Sequence, residues 1–147
     1  MISKAYEHGY GIDWQDFYVR YREAYHTSVT DFHVHDFFEV NLILSGNVNI
    51  LMKDQVKEGK GNFIVLTSPG TPHYIRCTSD TLYKRLYLMV SDQFIANYIP
   101  EWEGIISIFR KRGRIIPITA QEAEMYEIMI RQIEKEPNRF RQRLLIL

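Results

Sequence analysis

The chain has 147 residues, of which 46% are apolar and 24% charged, values ordinary for a globular domain with one sizeable core. Lysine plus arginine equals aspartate plus glutamate at 18 each, so bulk charge does not mark a polyanion binder, and the basic excess of a DNA-reading domain is absent. A single cysteine, Cys77, excludes an intramolecular disulfide; no apolar run is long enough to span a bilayer, and Met1 to Asp16 lacks a signal-peptide core, so the expected location is the cytoplasm.

From Phe17 to Ser91 the chain reads as short alternating or apolar runs separated by turn residues. The first strand is expected over Phe17–Tyr25, with Phe17, Val19, Tyr21, Glu23 and Tyr25 on one face and Arg20 and Arg22 on the other. Further strands are expected over Phe37–Leu44, Val48–Met52, Phe63–Leu66, Pro72–Cys77 and Tyr83–Val90. Turn chemistry divides them at Ser45-Gly46-Asn47, Lys53-Asp54-Gln55, Gly59-Lys60-Gly61, Ser68-Pro69-Gly70 and Thr78-Ser79-Asp80. Six or more short strands at this spacing predict a barrel or sandwich.

The apolar period changes near Asp92. A short helix is expected from Ser91 to Tyr98, ended by Pro100, then an amphipathic helix over Glu101–Arg112 with Trp102, Ile105, Ile106 and Phe109 on its stripe. Gly113 stands where a C′ glycine belongs, and the basic run around Lys111 suits a helix C-terminus. Thr119 and Glu122 form a capping-box pattern for a helix over Ala120–Lys135, striped by Tyr126, Met129, Ile130 and Ile133. After Pro137 a last helix begins at Arg139, and Phe140, Leu144 and Leu147 give it an apolar face at the chain end. Such an end reads as a chain stopping inside a longer protein, the alternative being a short helix docked on the barrel. The two stripes serve either as core of this chain or as an antiparallel pair that meets its copy.

Chemistry concentrates in His33-Val34-His35 and Glu39, with His73 following the Ser68–Gly70 turn. On a strand, alternate residues face one way, so His33, His35 and Glu39 can converge, with His73 arriving from a neighbouring strand. Two or three imidazoles and a carboxylate form a ligand set for Zn, Ni, Fe or Mn; equally, such groups can hydrogen-bond one another as a buried polar cluster. Tyr21, Glu23 and Tyr25 join them as pocket candidates if their shared face looks inward. Tyr83, Arg85 and Arg76 stand either at the barrel mouth or on its outer face, since sequence leaves the register open.

The spacing His-x-His-x3-Glu-x6-Gly, from His33 to Gly46, resembles the first cupin motif, and Gly70-x2-His73 resembles part of the second. The run from Phe32 to Arg76 is similar to the ligand-binding and dimerisation region of AraC-type transcription regulators. Thr27, Ser68 and Cys77 depart from the cupin pattern at scaffold positions, while all four ligand positions are kept. The resemblance implies a mainly β fold with C-terminal helices: a cupin-like barrel (double-stranded β-helix, or jelly roll) over residues 1–91, then a helical dimerisation tail over 92–147. It implies a non-enzymatic role in which the barrel senses a small-molecule effector, with a sugar among the candidates. No cofactor is required, and a divalent metal at the His/His/Glu/His cluster is an option. The partners implied are a second copy of the chain, through Tyr126, Met129, Ile130, Ile133, Phe140, Leu144 and Leu147, and DNA only through a helix-turn-helix domain outside this chain. A metal-dependent cupin enzyme, of dioxygenase or isomerase type, is the alternative.

Overall fold

The computed structural model describes residues 16–25, 32–52, 55–78, 82–111 and 115–146. In chain order these form β1 (Phe17–Ala24), β2 (Phe38–Ser45), β3 (Asn47–Met52), β4 (Gln55–Lys60), β5 (Asn62–Thr67), β6 (His73–Cys77), β7 (Tyr83–Val90), α1 (Asp92–Tyr98), α2 (Trp102–Lys111), β8 (Ile115–Ile118), α3 (Ala120–Lys135) and α4 (Arg139–Ile146). The described strands make two antiparallel sheets, ordered β1-β7-β2-β5-β8 and β4-β3-β6. Two antiparallel sheets facing each other across a shared core, followed by helices, make a mainly β, jelly-roll barrel with a helical tail.

Alternation along β2 sets the two layers. Ile43 packs with Phe63, Val65 and Tyr83 of its own sheet and with Val48, Ile50, Met52, Ile75 and Cys77 of the other, which defines the inward side. Phe38 points the opposite way, against Phe17, Leu66 and Val90, where Phe94 and Ile95 of α1 and Ile106 and Phe109 of α2 cover the sheet. The five-stranded sheet is therefore buried on both faces, and each fully buried large side chain adds about 1.5–3 kcal/mol of burial free energy.

Gly46 is the corner at which the chain leaves one sheet for the other. Its φ of +101° lies in the region that favours glycine, and a Cβ there would come within 3.2 Å of the Tyr83 Cα. The β2–β7 register slips at the same place, between Ile43 and Ser45.

Two strands were not expected. β4 (Gln55–Lys60) falls where turns were read; its residues are polar and mostly exposed, and it exists because it pairs along the whole of β3. β8 (Ile115–Ile118) contains Pro117 and adds to the sheet edge beside β5, a position where a missing N–H is tolerated. The tail expected after residue 91 thus returns one strand to the barrel sheet.

The helices start where expected. Ser91 caps α1, its Oγ accepting from the Phe94 N–H at 3.1 Å. On α2, Ile106 and Phe109 are buried while Trp102 is exposed; Gly113 lies outside the described residues. Thr119 caps α3 in a complete capping box, Oγ1 accepting from the Glu122 N–H at 3.2 Å and the Glu122 carboxylate accepting from the Thr119 N–H at 2.8 Å. Thr119→Ala is expected to cost about 1 kcal/mol, readable as a lowered urea midpoint with unchanged slope.

Candidate effector and metal site

The His-x-His segment is not part of a strand. His33 forms an isolated antiparallel bridge with His73, each N–H donating to the other's carbonyl at 3.0 and 3.1 Å. The Gly70 N–H donates to the His35 carbonyl at 2.9 Å, tying the segment to the Ser68–Gly70 turn. Backbone pairing with the start of β6, rather than strand alternation, therefore brings the histidines together. Ring centroids lie 4.0 Å apart for His33 and His73 and 4.8 Å for His35 and His73. One ligand atom from each of His33, His35, Glu39 and His73 lies within 4.8 Å of every other.

Tautomers follow from the second nitrogens. His35 Nδ1 donates to the Phe37 carbonyl at 3.0 Å, and His73 Nδ1 to the Thr71 carbonyl at 2.9 Å, since a carbonyl can only accept. Each Nε2 is thereby aimed at one oxygen, Glu39 Oε2, at 3.0 Å from His35 and 3.2 Å from His73. The His73 approach is close but not aligned as a hydrogen bond, and this nitrogen is fully buried. In the neutral tautomer two nitrogen lone pairs face a carboxylate lone pair, which is stable only if a proton or a metal cation stands between them. Imidazoles that give Nδ1–H to carbonyls and present Nε2 inward have the usual outer-shell arrangement of metal ligands. The donor set thus fits a divalent ion. Burial opposes ionisation of Glu39, but the hydrogen bond with His35 and the closeness of the His73 imidazole outweigh it and hold the carboxyl well below the usual range.

The register corrects the expected β1 face. β1 pairs β7 with Tyr18 opposite Met89, Arg20 opposite Tyr87 and Arg22 opposite Arg85, and β2 pairs β7 with Glu39 opposite Met89 and Asn41 opposite Tyr87. Tyr18, Arg20 and Arg22 therefore share the inward side with Glu39, whereas Tyr21 and Glu23 face the helices. The Tyr21 ring lies 3.8 Å beneath Arg131 of α3, its hydroxyl hydrogen-bonds Glu23, and its backbone N–H donates to Glu134 at 3.0 Å. Tyr25 is exposed at the strand end. This arrangement follows from covering: the side that meets the helices carries Phe17 and Val19 and is the more apolar.

Residues not foreseen as site candidates line the same interior. Asn41 and Thr67 are fully buried, and Asn41 Oδ1 and Thr67 Oγ1 have no hydrogen-bond partner among the described residues. Their parity with Glu39 was the available signal. Burial pushes the Tyr83 hydroxyl up to about 12, so it stays a neutral donor. Arg85 and Tyr83 prove inward, while Arg76 is exposed.

The helical candidates divide. Met129, Phe140 and Leu144 are at least half exposed, beside Ile128 of α3 and Leu145 of α4. Tyr126 and Ile130 are half-buried. Ile133 is 7% exposed, buried within its own chain and so removed from any contact with a second copy. Leu147 lies outside the described residues.

The family model of the AraC-like ligand binding domain matches residues 17–146, nearly the whole chain. The chain belongs to this family. Among solved structures, the AraC-like chain is similar to an apo ToxT variant from Vibrio cholerae at 10% identity and TM-score 0.57, over 89% of this chain and 52% of that one. A second ToxT structure from Vibrio cholerae aligns at 13% identity and TM-score 0.51, over 90% and 54%. A cupin protein from Bacteroides fragilis aligns at 21% identity and TM-score 0.44, over 52% and 67%. The chain spans about half the length of the ToxT chains. No curated protein matches the sequence. Among the described residues no helix is long and apolar enough to cross a membrane.

Proposed function

We propose that this AraC-like domain is the sensory half of a transcription regulator. A small-molecule effector, a sugar among the candidates, enters the barrel near His33, His35, Glu39 and His73, and α3 and α4 pair with a second copy of the chain. DNA is contacted by a helix-turn-helix domain outside this chain. The observation that carries the reading is the polar interior just described, within a chain matched by the AraC-like model over residues 17–146. Support for a link to the helices comes from β1, whose alternate residues face the interior and α3. An effector that binds the two positions of these helices unequally would shift their balance, and one that binds them equally would not.

Support for the homodimer is the exposed apolar surface of Met129, Phe140 and Leu144. The expected result is a dimer by light scattering at tens of micromolar. Leu144→Glu, with the charge placed in the interface, is expected to weaken association at least about tenfold without lowering the thermal midpoint. A wild-type monomer at that concentration would remove the dimer.

The His/His/Glu/His cluster favours a second reading, a metal-dependent cupin enzyme. A divalent ion held there would supply Lewis acidity or a redox centre. His35 and His73 are oriented by carbonyls with Nε2 turned toward Glu39, so the chain presents its donors in the arrangement such an ion requires.

A further inference from the structure

An organic effector has no need of four converging donors with two Nε2 atoms turned inward, whereas a divalent cation does. The same histidines are joined by packing to the strand that the helices hold. The His35 ring lies parallel to Phe37, with centroids 4.0 Å apart and planes 4° from each other. Phe37 in turn packs against the buried cluster of Tyr18, Tyr87 and Met89, in which the Tyr18 and Tyr87 rings stand 5.8 Å apart. The register makes the same connection through the sheet, with Glu39 opposite Met89 and Met89 opposite Tyr18 of β1. On the other side of β1, Tyr21 lies beneath Arg131 and gives its N–H to Glu134, both of α3. Arg139 of α4 donates to the Phe17 carbonyl.

We propose that the signal read by this domain is the divalent cation itself, passed from His35 through Phe37 and the Tyr18–Tyr87–Met89 cluster to β1, and from β1 to α3 and α4. The proposal rests on the sensing reading and names its ligand and its route. A metal–imidazole bond of about 2 Å would replace the 3.0 Å approach of His35 Nε2 to Glu39 and anchor the ring. Phe37, stacked on that ring, is then held in one position, and close packing passes the restraint to β1. Ordering β1 lowers the cost of docking the helices on it, so the cation favours the docked state. Coupling of this kind is reciprocal, and loosening the helices has to weaken the metal by the same factor.

The test is hydrogen exchange on the full chain, metal-stripped and then saturated in turn with Zn(II), Mn(II), Ni(II) and Fe(II), read by mass spectrometry. The matched reference is β8, which lies two strands from β2, as β1 does, but at the opposite edge of the sheet. With at least one metal, exchange in β1 and α3 is expected to slow about fivefold or more beyond any slowing in β8. Phe37→Leu, compared with the wild type at saturation so that affinity does not enter, is expected to remove that difference. Glu134→Ala, on the far side of β1 from the cluster, is expected to weaken the same metal about threefold or more by calorimetry. Should Phe37→Leu fail to fold, the Glu134→Ala affinity decides alone. Equal slowing in β1 and β8 means that the cation only stabilises the fold, which overturns the proposal. So does selective slowing that survives Phe37→Leu, or an affinity unmoved by Glu134→Ala. D-glucose and D-galactose are run beside the metals. If no metal binds, the proposal falls; the sensing reading stands if a sugar slows β1 and α3 selectively, and loses its link from barrel to helices if none does.

Discussion

Metal-stripped protein is expected to gain about 8 °C in thermal midpoint when Mn(II), Fe(II), Ni(II) or Zn(II) reaches roughly 100 times its dissociation constant. At that excess a ligand confined to the native state adds about 2.7 kcal/mol, and a domain of this size gains about 3 °C per kcal/mol. Four donors within 4.8 Å, two of them with Nε2 turned inward by carbonyls, supply the site. Glu39→Gln keeps the volume and removes the charge, and the gain is expected to shrink to about 2 °C or less. The control is Glu122→Gln, an exposed acid remote from the cluster, which should leave the metal response intact. No shift with any of the four metals would mean that the histidines and Glu39 form only a hydrogen-bonded cluster, and the enzyme reading would go with the metal.

Phe94→Ala is expected to destabilise the domain by about 4 kcal/mol, within the range for removing a buried aromatic ring. Phe94 is fully buried where α1 crosses the outer face of the sheet, edge-on to Phe17 at 5.5 Å and 5.2 Å from the Tyr98 ring. It joins β1 to the helices, and the cavity left by its loss cannot close without moving both. Val56→Ala, on the exposed face of β4, is the matched control and should stay within about 0.5 kcal/mol. Urea unfolding of the two variants decides the matter. A Phe94→Ala cost near that of the control would mean that α1 does not contribute to the core as described.

The histidine cluster was legible because the spacing survives in the chain, but the reason it works is not strand alternation. His33 and His35 precede β2 and are placed by pairing with His73 and Gly70, a contact no local pattern reveals. The faces of β2 could be anticipated from alternation, while those of β1 were inverted. Both of its rows contain aromatic and charged residues, and a one-residue change of parity exchanges them completely. Only the helices, by covering Phe17 and Val19, decide which row is inside. β4 was missed because its residues carry no apolar period, and β8 because Pro117 speaks against a strand except at an edge. The capping box of α3 was read correctly because it is a local device, complete within Thr119 to Glu122.

Among the described residues β1 is an edge strand, and two of its outer backbone groups are met by side chains of the last two helices. The Tyr21 N–H is taken by Glu134 and the Phe17 carbonyl by Arg139 at 2.5 Å, with Arg143 on Asp16 just before the strand. An unpaired edge of this kind is a template on which another chain can add a strand. The helix pair therefore acts as a guard against sheet-to-sheet polymerisation. Any state that lifted α3 and α4 away from β1 would bare that edge to other strands.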